Sequence, residues 1–339
     1  MNKFRFYFLL FFSVIIFSCN KSDSSSSVTI RDFKVQYASD IAMIEDFLNT
    51  HHLETTNSSG YDDQDVTFTK IPEGSSEESI MSWLNRDAYP KLLYKIVNLD
   101  DNDYKIYYVK LREDYSAGEA PTRVDGAKVA YKGVYLYYDE DNDNALTTKQ
   151  FDANPYPDNM FVLNTVIRGW TEIIPLFKTG TKTVTEGQPT LYSQFGAGVM
   201  FVPSGLGYYN QAQVNLPSYS PLIFNFKLYA VTRMDQDADG VLSMYEDING
   251  NGIFTDDDTD GDGIYDYLDP DDDQDGYFTK TEIKRPTSET GGYTIYYDFN
   301  GAAEDKVNTA YDERQGIPDC SGDFYTSTRL RKHLDKNCH

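Results

Sequence analysis

The sequence predicts an α+β chain, and three observations carry that expectation. Aromatic residues make up 15% of the 339 residues, 28 of them Tyr and 20 Phe, a composition that suits pleated, half-buried surfaces. Val129–Tyr138 (VAYKGVYLYY) alternates with the two-residue period of a strand. Ser39–Leu53 and Val166–Phe177 instead place apolar residues at helical spacing. A fourth region, Asp235–Glu282, carries neither period and sets Asp and Gly in a regular array.

Residues Met1–Ser18 carry Lys3 and Arg5, then an apolar run from Phe6 to Phe17 and a small residue before Cys19. The run is too short to span a bilayer and reads as a signal peptide. Ile16, Ser18 and Cys19 resemble a bacterial lipobox, which implies lipidation of Cys19; an ordinary cleaved secretory signal is the alternative. Residues 20–30 begin NKSDSSSS and read as a flexible tether. The expected setting is an outer-membrane or cell-envelope lipoprotein facing the periplasm or cell surface, with the membrane as partner through the anchor.

Residues 31–115 form an N-terminal helix-and-strand region. Ile41, Ile44, Phe47 and Leu48 share one face of the helix Ser39–Leu53, with Ser39 or Asp40 as its cap and His51 and His52 complementing the dipole at its end. Glu77–Asn85 is a second short helix, and Lys91–Val97 and Tyr104–Leu111 are strands joined by the turn LDDND. No chemistry is legible here; by analogy the helical part is a dimerisation or chaperone-like arm. The net charge of −24 excludes nucleic acid and anionic membrane surfaces as partners. Much of it is local, since Asp235–Glu282 holds 17 acidic residues against Lys280 alone.

In residues 116–232, Val166, Ile167, Trp170, Ile173, Ile174 and Phe177 fall on one helical face, Asn164 or Thr165 can cap its start, and Gly180 follows as a C′ residue would. Pro175 breaks the pattern. By periodicity Trp170 is a core residue; its company says more. Val129/Tyr131/Gly133, Phe151-Asp152, Val166-Ile167-Gly169-Trp170, Val202-Pro203 with Leu206 and Tyr208, Leu216-Pro217 and Leu222/Phe224 follow one another in that order. Together they resemble the FKBP-type peptidyl-prolyl cis-trans isomerases. The resemblance implies a twisted antiparallel sheet wrapped on a short helix. It implies a pocket floored by Trp170, walled by Tyr131, Phe151, Val166, Ile167 and Phe224, closed on one side by Leu216, with Asp152 and Tyr208 as its polar groups; Phe161 is a further wall. Tyr209 stands where the family has Gly, and the loops before Phe151 and over Thr181–Met200 are longer than usual.

The implied reaction needs no nucleophile. Amide resonance blocks rotation about an X-Pro bond with a barrier of roughly 18–20 kcal/mol. A dry aromatic pocket favours the less polar twisted amide, which is differential binding of the transition state. Proline-containing client proteins are the implied partners. A non-catalytic module that grips proline segments for adhesion or assembly is the alternative.

Calcium takes six to eight oxygens from positions 1, 3, 5, 7, 9 and 12 of a loop with Gly at 6. Four loops match. The first offers Asp235, Asp237, Asp239, the Val241 carbonyl, Ser243 and Glu246; the second Asp247, Asn249, Asn251, Thr255 and Asp258. The third offers Asp258, Asp260, Asp262, Asp266 and Asp269; the fourth Asp271, Asp273, Asp275, Thr279 and Glu282. The loops abut without flanking helix pairs and so resemble thrombospondin type 3 repeats, with calcium as a structural cofactor and no organic cofactor. Gly292–Phe299 is one more expected strand. In residues 283–339, Cys320 and Cys338 are expected to pair as a disulfide in an oxidising compartment, the alternatives being a metal site with His333 and His339, or free thiols. With its calcium loops, the chain resembles exported FKBP-type lipoproteins of Bacteroidetes.

Overall fold

The computed structural model describes residues 30–59, 62–286, 295–299 and 316–338. The expected signal peptide, Cys19 and the tether up to residue 29 lie outside the described residues, as do residues 292–294 of the expected last strand. The chain divides into two compact units, Met1–Arg31 and Asp32–His339, and every element below belongs to the second.

Helix α1 spans Phe33–Thr50, starting six residues earlier than expected. Asp32 sets that start, because its Oδ1 accepts from the Lys34 and Val35 amides at 3.0 and 3.1 Å. Asp40 is therefore no cap; it is turned inward and 1% exposed. His51 and His52 open strand β1 (His51–Thr56) rather than ending the helix in solvent. The buried His51 ring stacks on Phe47 at 3.9 Å, and burial lowers its pKa, so it is not the dipole-capping cation expected.

Strand β2 (Asp65–Lys70) pairs antiparallel with β1. A 3-10 turn at Ile80–Trp83 replaces the expected second helix. The main sheet is built from β3 (Lys91–Leu99), β4 (Asn102–Lys110), β5 (Gly126–Asp139), β6 (Ala145–Asn154), β7 (Phe161–Val162), β10 (Gly196–Val202) and β11 (Leu222–Thr232). Between β7 and β10 come helix α2 (Arg168–Ile173) and the two-stranded ribbon of β8 (Thr181–Thr183) and β9 (Leu191–Ser193), which takes up much of the long Thr181–Met200 segment. A last short helix, α3, spans Thr279–Glu282. The second half of the stretch expected as a long loop before Phe151, from Ala145 on, is strand β6.

The sheet runs β3-β4-β10-β11-β5-β6, with β7 beside β5; the pairs are antiparallel. Because β4 pairs with β10, the chain before residue 115 and the chain after it share one sheet. This is a mixed α/β chain on a curled antiparallel sheet, with little helix.

Both faces of the sheet are covered, which explains why β10 (GAGVMFV) is buried at all seven positions and shows no alternation. Met200 and Val202 point into one core with Trp170, Phe224 and Phe226. Val199 and Phe201 point into the other with Ile44, Phe47 and Leu48 of α1. Each such apolar side chain contributes about 1.5–3 kcal/mol by burial. Helix α1 thus backs the sheet and is not a free arm.

Cys320 and Cys338 are disulfide-bonded, with Cα atoms 5.4 Å apart, and the metal-site and free-thiol alternatives fall away. Among the described residues no helix is long and apolar enough to cross a membrane.

Candidate functional site

The helical stripe read over Val166–Phe177 is broken into pieces. Leu163–Thr165 is a 3-10 turn, Val166 is extended at φ −100° and ψ 177°, and α2 starts after Ile167, its N-cap, with no side-chain cap. Asn164 and Thr165 therefore do not cap it. Pro175 sits in a 3-10 turn, Ile174–Leu176, that closes at Phe177, so Gly180 is not its C′ residue. Proline lacks the amide that another α-helical turn would need. Gly169 has a packing reason. A Cβ there would lie 2.6 Å from Val202 Cγ1, so only glycine lets α2 settle on β10 and bring Trp170 over the sheet.

A cavity of about 250 Å³ opens beside Trp170, lined by Tyr131, Asp152, Phe161, Thr165, Val166, Ile167, Trp170, Tyr208 and Phe224. Trp170 is 4% exposed. Its ring meets Tyr131 at 5.0 Å and 90°, Phe224 at 5.4 Å and 88°, and Phe161 at 5.5 Å and 66°, the edge-to-face geometry aromatic pairs favour. Seven of the nine residues expected at the pocket line this cavity, together with the further wall, Phe161. Phe151 does not: it packs on Phe224 at 5.7 Å. Leu216 does not either, and is buried in the adjoining core.

A register shift between β5 and β6 at Gly133/Val134 makes Phe151 the extra residue of a bulge. Such a bulge re-aims side chains, and here it places Asp152 at the cavity mouth. Gly133 allows it, since a Cβ at 133 would lie 2.9 Å from both the Phe151 and Phe224 rings. The Tyr131 hydroxyl donates to Asp152 Oδ2 at 2.5 Å. Burial, and then that hydrogen bond, raise the Tyr131 pKa. Burial, and then the charge of Asp152, raise that of Tyr208. Both phenols therefore stay protonated at neutral pH, and Tyr208 can donate to a carbonyl in the cavity.

Several supporting residues carried no sequence signal. Glu172 of α2 is 1% exposed and meets Lys95 of β3 at 2.7 Å, Arg123 at 2.8 Å and Arg168 at 2.7 Å. This hub ties the pocket helix to the sheet. Glu172→Gln is expected to cost about 2 kcal/mol, below the usual toll for unpairing a buried charge because its three partners are partly exposed and can rehydrate; a urea melt unchanged within error would contradict the role. Asp40 of α1 accepts from the Ser204 amide at 2.7 Å and so braces the turn before Tyr208. Tyr209, at φ 49°, stacks on Phe33 at 4.4 Å and meets Tyr219 at 5.1 Å. It faces α1, not the cavity, so the Tyr-for-Gly departure leaves the pocket open.

The acidic stretch folds as four loops with one hydrogen-bond pattern. The Gly at each sixth position has φ between +75° and +101°: Gly240, Gly252, Gly263 and Gly276, a region open to glycine. Position 3 accepts from the amide of position 5 in Asp237, Asn249, Asp260 and Asp273, at 2.8–3.2 Å. Position 5 accepts from position 7 in Asp239, Asn251, Asp262 and Asp275, at 2.6–2.8 Å. One oxygen from each of Asp235/Asp237/Asp239, Asp258/Asp260/Asp262 and Asp271/Asp273/Asp275 falls within a mutual 4.8 Å.

Many of these oxygens have no hydrogen-bond partner, among them Asp235 Oδ1, Asp237 Oδ2, Asp247 Oδ1, Asp260 Oδ2, Asp271 Oδ1, Asp273 Oδ2 and both of Glu246 and Glu282. Orphaned buried carboxylates are costly without a counter-charge, so this donor set fits a hard cation. Burial, then Asp237 and Asp239, push the Glu246 carboxyl up to about 11; burial, then Asp273 and Asp275, push Glu282 up to about 8. Asp266 is instead engaged by the Thr259 amide and hydroxyl at 2.7 and 2.9 Å. Asp257 and Asp272, buried at 5% and 2% exposure, lie outside the ligand register and were missed.

The loops reach the segment just before the pocket wall. Gln236 donates to the Val124 carbonyl at 2.8 Å, and Asn164 donates to Gln236 at 3.2 Å. Phe254 and Tyr267 pack on Val124.

A family model described as BamM C-terminal matches residues 236–310, less than half of the chain. No curated protein matches. Among solved structures, the chain is similar to a peptidyl-prolyl cis-trans isomerase of Pseudomonas syringae pv. tomato, at 24% identity over 41% of this chain and 81% of that one, with a TM-score of 0.28. It is also similar to FkpA of Escherichia coli, at 26% identity over 38% of this chain and 48% of that one, with a TM-score of 0.27. The matched part thus spans about half the length of FkpA.

Proposed function

We propose that the chain is a peptidyl-prolyl cis-trans isomerase acting on X-Pro bonds of exported proteins. The observation that carries this is the cavity itself: a Trp170 floor, aromatic walls on three sides, and the polar groups Tyr208 and Tyr131–Asp152 at one edge. A prolyl ring enters against Trp170. Tyr208 donates to a substrate carbonyl and fixes the chain on one side of the bond. The apolar walls exclude water, so the twisted amide, less polar than the planar one, is favoured. Asp152 holds the Tyr131 ring and closes the polar edge. No side chain forms a covalent bond and no proton is transferred.

The acidic loops are proposed to bind calcium as a structural ion, held by the carboxylates at positions 1, 3, 5 and 12, and, in the second loop, by Asp247, Asn249 and Asn251. An exported, lipid-anchored setting in the cell envelope is proposed from residues 1–19, and the Cys320–Cys338 disulfide suits an oxidising compartment.

Tyr208→Phe tests the site. The ring and its packing remain, and one hydrogen bond is lost, so kcat/KM on a proline peptide is expected to fall about 2- to 10-fold, the equivalent of about 0.5–1.5 kcal/mol, with an unchanged melting curve. Parent protein that is folded and calcium-loaded yet gives no acceleration would reject the enzyme and leave a proline-binding module.

A further inference from the structure

We propose that a divalent cation of the calcium class also binds between the first and fourth loops, held by Asp239, Glu246 and Asp272. The proposal rests on the calcium reading of the loops and adds a ligand, Asp272, that the loop register does not contain. One carboxylate oxygen from each of the three residues lies within 4.8 Å of the others. The three residues are 1%, 2% and 2% exposed.

Each presents oxygens that nothing in the protein satisfies. Asp239 Oδ1 accepts from the Val241 amide at 2.7 Å, while Oδ2 has no partner. Asp272 Oδ2 accepts from Thr279 Oγ1 at 3.1 Å, while Oδ1 has none. Glu246 has no partner at either oxygen. The neighbouring base, Lys280, donates its Nζ to the Ala238 carbonyl at 3.0 Å; its charge acts on Asp239 but makes no hydrogen bond to the orphaned oxygens. Three carboxylates this close and this dry repel one another, and a shared cation both cancels the repulsion and fills the orphaned acceptors.

Sequence position explains why Asp272 points here. Asp271 and Asp273 flank it and turn their oxygens toward the fourth loop's own triad with Asp275. The intervening residue is directed to the other side, toward the first loop. Asp239 belongs to both oxygen sets, that of its own loop and the shared one, and Glu246 is the first loop's twelfth position, so each of the two offers one oxygen to either cation and only Asp272 is foreign to the loop. The ion would join the first and last loops of the array, with two loops between them along the chain, and hold the array closed, which local loop ions alone do not do.

The test uses the full chain and its Asp272→Asn form, with calcium alone as the probe. Bound ions are counted by native mass spectrometry and titrated against a chromophoric chelator, and melting is followed with calcium and with chelator. The variant is expected to lose one ion, or to bind one ion at least tenfold more weakly. Its melting midpoint should rise in chelator, where a buried charge has been removed, and fall in calcium, where a ligand has been lost. A merely structural Asp272 would lower the midpoint in both. Equal counts and affinities, or a midpoint lowered equally in both conditions, would overturn the shared ion while leaving the loop ions standing. A parent chain that binds no calcium would overturn both readings.

Discussion

Trp170→Ala is expected to abolish prolyl isomerisation and to lower stability by about 3–5 kcal/mol, the usual cost of emptying a large buried aromatic site. Both effects come from one side chain, because Trp170 is at once the floor of the cavity and part of the core beneath the sheet. Trp170→Phe separates them. A phenyl ring keeps much of the edge-to-face packing with Tyr131 and Phe224, so the fold should survive. The floor shrinks and recedes, so kcat/KM on a proline peptide should drop by roughly tenfold or more, about 1.4 kcal/mol of transition-state stabilisation. Fluorescence gives a second readout. The other tryptophan, Trp83, is buried in the opposite core with α1, so any emission change on adding a proline peptide should vanish in Trp170→Phe. A folded Trp170→Phe that keeps full acceleration would move the active site elsewhere.

The parts of this site legible in the sequence are those where one residue type answers a local demand. Gly133 and Gly169 stood in the motif because a Cβ at either would clash with its packing partners. Trp170 and Tyr131 were legible as large aromatic residues in a fixed order. The sixth-position glycines were legible because each takes a left-handed φ. What failed depended on tertiary partners. The pattern starts helix α1 at Ser39, because Asp32 announces a cap only by its bonds to Lys34 and Val35. The stripe over Val166–Phe177 passed for one helix, although Val166 is extended and Pro175 forces a 3-10 turn. Phe151 stands in the motif as a wall, but the bulge that presents Asp152 to the cavity turns Phe151 out of it. Glu172 was invisible because a charged residue on a helix is ordinarily solvated; only the approach of Lys95, Arg123 and Arg168 from three places in the chain makes it a buried hub. Asp272 is silent in the sequence for the same kind of reason, since it falls at the second position of its loop, off the ligand register.

Calcium removal is expected to have the other large effect, and to reach the isomerase pocket. The stretch Asp235–Glu282 carries 17 acidic residues against one lysine, with several carboxylates buried and unpaired. Each ion at a hundredfold excess over its Kd would add about 2.7 kcal/mol to the folded state. Two such ions would shift Tm by roughly 10 °C for a chain of this size. Chelator should therefore lower the melting midpoint by at least that amount and open the loops to protease. The strain need not stop there. Gln236, between the first two ligand positions, holds Val124 and Asn164, and Asp125 accepts from Arg233 on one side while its carbonyl takes the Leu163 amide on the other. Asn164 and Leu163 belong to the turn that delivers Thr165 and Val166 to the cavity wall. Loosening the first loop should loosen that wall, so the rate on a proline peptide should fall several-fold in chelator and return with added calcium. Gln236→Ala should blunt this coupling, leaving calcium binding intact and the chelator effect on rate reduced. A melting curve and a protease pattern that ignore chelator would reject calcium as a structural ion. A shifted melt with an unchanged rate would show that the loops and the pocket stand independently.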